Sequence, residues 1–121
     1  MIRIVGVQRG HTAAEEFVLI QNQGSLRVNL RGHALLAEDS ISTGSGTAHV
    51  LCDDVAIMPG QYAVLRSGIG PSRWNKLADG SSVYYTYLGH SGTLWEGKDN
   101  IHLLAPQHTY SERRVEPIVV C

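Results

Sequence analysis

Apolar and polar positions alternate in short bursts along this chain. Each burst is closed by glycine, proline or small polar residues, which is the pattern of strands rather than helices. Residues 2–7 (Ile-Arg-Ile-Val-Gly-Val) predict a first strand. Residues 12–15 suffice for one helical turn, which nothing extends. Phe17-Val18-Leu19-Ile20 is a short apolar run closed by Asn22-Gln23-Gly24-Ser25, and it predicts a strand covered on both faces. Val28 and Leu30 alternate with Asn29 and Arg31 in a half-buried strand that reaches Gly32 and resumes at Ala34-Leu35-Leu36.

Residues 37–47 lose all periodicity and predict an exposed loop, followed by a short strand over 48–51. Met58-Pro59-Gly60-Gln61 is a type II turn signal: proline presets φ at the second position and glycine supplies the positive φ of the third. The turn delivers a strand over 62–66. Residues 67–80 read as a second long, Gly-rich loop. Residues 83–88 predict an aromatic strand, with Tyr85 sharing a face with Val83 and Tyr87, and Tyr84 sharing the other with Leu88. Strands over 101–104, 109–113 and 115–120 close the chain. Some eight or nine strands without an amphipathic helix must each bury a face against a partner layer. The expectation is therefore an all-β, two-sheet sandwich, one domain over residues 1–121.

Several segments occur in an order that resembles lamin-tail domains. Glu16-Phe17-Val18-Leu19-Ile20-Gln21-Asn22 followed by Val28-Asn29-Leu30-Arg31-Gly32 is similar to the family's opening pair of strands. Met58-Pro59-Gly60-Gln61-Tyr62 looks like its later Pro-Gly turn. Trp95-Glu96-Gly97-Lys98-Asp99-Asn100-Ile101-His102-Leu103-Leu104 resembles its Trp-Gly-Asp hairpin. The resemblance, to a bacterial-type variant, implies an immunoglobulin-like sandwich serving as a non-catalytic interaction or scaffolding module. His33 stands where the family favours an aromatic residue, and the 67–80 loop departs from its pattern.

Composition narrows the function. Hydrophobic residues make up 43% and charged residues 17%, a globular balance. The net charge of -1, with signs mixed along the chain, disfavours an electrostatic grip on nucleic-acid phosphates. No stretch approaches the roughly 20 apolar residues of a membrane helix, and the N-terminal strand lacks the flanks of a signal peptide. Cys52 and Cys121 are too few for a disulfide framework, and two free thiols are the favoured expectation, with a single Cys52–Cys121 bridge as the alternative.

Candidate chemistry is sparse, and no cofactor is expected. The six histidines (His11, His33, His49, His90, His102, His108) are scattered, and His49 and Cys52 stand three apart on a strand, pointing to opposite faces. No metal site is expected from them. No G-x-S-x-G elbow is present, and Ser67-Gly68-Ile69-Gly70-Pro71-Ser72 lacks the Lys-Ser/Thr ending of a phosphate loop. Asp53-Asp54 reads as solvated turn charge. No catalytic residue emerges.

The best binding candidates are Arg73, Trp74 and Lys76 in the 67–80 loop, because Trp and Arg concentrate at interface hot spots. A competing reading folds Trp74 back to cap the sandwich, and Trp95 reads as core. A protein partner or self-association is the expected occupant. The alternatives are a glycan- or small-ligand-binding sandwich, favoured by the aromatic strand and Trp74, and, less favoured, a metal-dependent enzyme.

Overall fold

In the computed structural model, which describes residues 1–38, 48–97 and 100–106, every element is a strand. In chain order these are β1 (Ile2–Gln8), β2 (Phe17–Asn22), β3 (Val28–Asn29), β4 (Ala34–Ala37), β5 (His49–Val50), β6 (Ala56–Ile57), β7 (Tyr62–Arg66), β8 (Arg73–Lys76), β9 (Ser82–Tyr87) and β10 (Ile101–Leu104). The strands expected over 109–113 and 115–120 lie outside the described residues, as do most of the 37–47 loop, His108 and Cys121.

The strands form a five-stranded sheet in the order β1-β2-β7-β9-β8, a three-stranded sheet β10-β4-β5 and a two-stranded sheet β3-β6. All pairings are antiparallel except β7 with β9, because the chain passes beyond β9's place to form β8 first. The large sheet contributes Val18, Ile20, Ala63, Leu65 and Tyr84 to a single core. Leu35, Ala37, Leu30, Leu51, Ile57 and Trp95 complete it from the other side. Burying each such Leu, Ile or Val side chain contributes roughly 1.5–3 kcal/mol. The result is an all-β, sandwich-like fold.

Most strands fall where the apolar pattern puts them. Gln61 N–H donates to Met58 C=O at 3.0 Å and Gly60 has φ +86°, so the Pro-Gly turn is formed as expected. The turn at 12–15 is a single one, with bonds from Glu15 and Glu16 N–H to Thr12 and Ala13 C=O. β1 carries a bulge at Val5, between the Ile4–Ile20 and Gly6–Leu19 pairs, which breaks the regularity of an edge strand.

Four expectations need correcting. Residues 67–80 are not one loop, because Arg73–Lys76 forms the edge strand β8, held by its ladder to β9. The short β6, absent from the sequence reading, pairs with β3. β2 is fully covered on its inner face alone; Phe17, Leu19 and Gln21 on the outer face are half-buried. Cys52 is disulfide-bonded rather than a free thiol; the scarcity of cysteines argued against a framework of bridges, which leaves a single bridge open.

Candidate functional site

The strand that organises the candidate site is β9. Its alternation sends Tyr84 and Thr86 inward and Tyr85 and Tyr87 outward. On the inner face the Tyr84 and Thr86 hydroxyls both donate to the Asp53 carboxylate, at 2.6 and 2.8 Å. Burial, and then the neighbouring Asp53, push the Tyr84 phenol above its ordinary pKa. Asp54 accepts from the Asn29 amide at 2.6 Å. Asp53 is thus a structural anchor, a correction to its reading as solvated charge, while Asp54 is exposed as that reading had it. A lone local sequence signal does not show that two β9 hydroxyls will arrive opposite Asp53.

On the outer face the register sets Tyr87 beside Arg66 of β7, and Tyr85 between Val64 of β7 and Arg73 of β8. The Arg66 guanidinium carbon lies 5.5 Å from the Phe17 ring centre and 5.8 Å from that of Tyr85. Both distances are within reach of cation–π attraction. One Arg66 Nη also donates to Ala14 C=O at 3.2 Å. The guanidinium is therefore held in place from three directions.

These side chains line a solvent-open cleft of about 670 Å³, with the turn at 12–14, Gly68 and Ile69, Asn75, and His90 and Ser91 around it. Its floor is tied down beyond the ends of β7 and β9. Leu88, Gly89 and His90 N–H donate to the carbonyls of Arg66, Gly68 and Ser67 at 2.7, 2.9 and 2.9 Å. Gly70 lies flat against Tyr87: a Cβ there would sit 2.6 Å from the ring. Only a residue without a side chain permits this approach.

Of the residues expected to bind, the structure joins Arg73 to this cleft and separates the other two from it. Trp74 and Lys76 alternate to the opposite face. There the Trp74 ring tilts at 60° against Tyr84, with centroids 5.2 Å apart, yet the residue stays 41% exposed. It caps the core edge and faces solvent at once. Arg66, Tyr85, Tyr87 and His90 are not marked as site residues by the sequence, though the period-two placement of Tyr85 and Tyr87 marks their shared face, and Asn75 lies within the candidate segment 73–76.

Elsewhere, His49 packs edge-on against His90 and Trp95, at 5.0 and 5.5 Å between ring centres. Burial, with a contribution from His90, holds His49 below its ordinary pKa. Among the described residues no group of three His, Cys, Asp or Glu side chains is placed to hold a metal ion. No helix among them is long and apolar enough to cross a membrane. Compared with protein-family models, curated proteins and solved structures, the chain matches none.

Proposed function

We propose that this chain is a non-catalytic binding module for a macromolecule, and that it binds on the outer face of the five-stranded sheet. The observation that carries the reading is the exposed cleft over β7, β9 and β8. Arginine and tyrosine, the residue types that dominate interface hot spots, converge there on a rigid floor. An immunoglobulin-like sandwich of lamin-tail type belongs to the same proposal. Its support is that both polar ends of the Glu16–Asn22 motif are buried and hydrogen-bonded, the Pro-Gly turn is formed, and Trp95 lies in the core.

A protein partner or a second copy of the chain suits this face and the neighbouring edge of β8, which no strand among the described residues covers and whose outward backbone groups offer a template for strand addition. Binding of a glycan or small ligand is the second reading. The tyrosine floor with hydroxyl and amide groups around it favours that one.

The test is a thermal-shift screen across glycans, nucleotides, nucleic acids and metals, combined with sedimentation to detect self-association. A ligand of the folded state raises the melting temperature, and Arg73→Glu and Tyr85→Ala should each abolish that rise. A rise indifferent to both substitutions would overturn the site. Turnover of a substrate that one polar substitution abolishes would overturn the non-catalytic reading.

A further inference from the structure

Arg66 and Arg73 stand on the two strands that flank β9, and each points into the same cleft. Among the described residues no aspartate or glutamate lines that cleft, and neither arginine is paired with a carboxylate. The chain as a whole carries a net charge of -1, so this unpaired positive charge is a local feature, not a consequence of a basic protein. Two like charges held near each other without a counter-ion repel, and an anion placed between them removes that repulsion.

We infer that the cleft binds an acidic saccharide, one whose sugar ring carries a carboxylate or a sulfate ester. This deepens the glycan reading above and rests on the same surface being the binding face. Guanidinium forks match the paired oxygens of such groups. Neighbouring strands are about 4.8 Å apart, and Arg66 pairs with Tyr87 while Arg73 pairs with Tyr85, two residues along, so the two α-carbons stand about 12 Å apart across β9. Both arginine side chains therefore reach an oxyanion seated over Tyr85.

The remaining lining chooses among anions. Tyr85 offers an aromatic ring for the flat side of a sugar, beside the Tyr87 ring against which Gly70 lies. Thr12, Asn75 and Ser91 surround them with groups that pair with sugar hydroxyls. Phosphate sites often rest on free backbone N–H groups. Here the N–H groups of Leu88, Gly89 and His90, at the cleft's end, already donate to carbonyls.

Calorimetric titration of the full chain tests this with four probes: a tetragalacturonate, a heparin-derived tetrasaccharide, maltotetraose as the neutral control and O-phosphotyrosine. One or both acidic oligosaccharides should bind, more weakly as salt is added, and the neutral one should not. Arg73→Gln should weaken binding about tenfold or more, and Arg73→Lys, which keeps the charge but loses the fork, should rescue it in part. Arg73 is exposed, so folding should survive both changes. Equal binding of maltotetraose, preference for O-phosphotyrosine, or indifference to both Arg73→Gln and Arg66→Gln would overturn the inference.

The two proposals fail separately. If no acidic saccharide binds but another ligand class loses its thermal shift in Arg73→Glu, the saccharide is wrong and the binding face stands. Cleavage of a bound oligosaccharide would leave the ligand class standing and remove the non-catalytic reading.

Discussion

Glu16 and Asn22, at the two ends of one strand motif, show what buried polar residues do in this chain. Both are fully buried. The Glu16 carboxylate accepts from Ser67 Oγ at 2.6 Å and from Leu94 and Trp95 N–H at 2.6 and 3.1 Å, fastening the segment that carries Trp95 to the start of β2. Asn22 donates to the carbonyls of Leu26 and Ile57, both at 2.8 Å, and accepts from Gly24 N–H at 3.0 Å. Removing such a partner leaves the others unsatisfied in a dry interior. Glu16→Ala should therefore cost about 3–5 kcal/mol, a large part of a typical domain's stability. Urea denaturation measures it, and a loss below about 1 kcal/mol would refute the fastening role. Asn22→Ala should behave alike, with the loss spread over β3, β6 and the N-terminus.

Among the elements, the turn before β7 and the hairpin before β9 mark what can be read from sequence and what cannot. Pro59-Gly60 announces itself because a positive φ needs glycine, and the turn stands where that chemistry puts it. Gly60→Ala, with space around it but φ +86°, should cost about 1 kcal/mol through strain alone, read as a lowered midpoint in thermal melts. β8 gives no such notice. Arg73-Trp74-Asn75-Lys76 lacks apolar alternation because an edge strand with an open outer face buries little of itself. Its strand state comes from the ladder to β9, a non-local fact. The same blindness hid the cleft: Arg66, Arg73 and Tyr85 become neighbours only through the β7-β9-β8 order, in which β9 inserts between strands that precede it. Gly70→Ala tests that assembly directly. The new Cβ must push the Tyr87 ring aside, so tyrosine near-UV circular dichroism should change and binding in the cleft should fall with the core intact.

For the molecule as a whole, one buried and one half-buried imidazole tie stability to pH. Burial holds His33 below its ordinary pKa, partly offset by the hydrogen bond its ring makes to Leu30 C=O at 3.0 Å. His33 is buried at 3% exposure. His49 is lowered for the same reason, with His90 adding to it. In the unfolded chain both titrate at their ordinary value of 6.5. Above that value both states hold neutral imidazoles and stability is complete. As pH falls through 6.5 toward the lowered folded values, the unfolded chain takes up protons that the folded one resists, and stability declines. The melting temperature should therefore fall between pH 7.5 and pH 5.5, before protonation of ordinary carboxylates adds its own loss. His33→Gln and His49→Gln should each flatten that slope, and the double variant should flatten it most, even if each lowers stability at pH 7.5. A slope unchanged in the double variant would mean that neither ring resists protonation in the folded chain, and so that the packing of His49 on Trp95 does not exclude water from it.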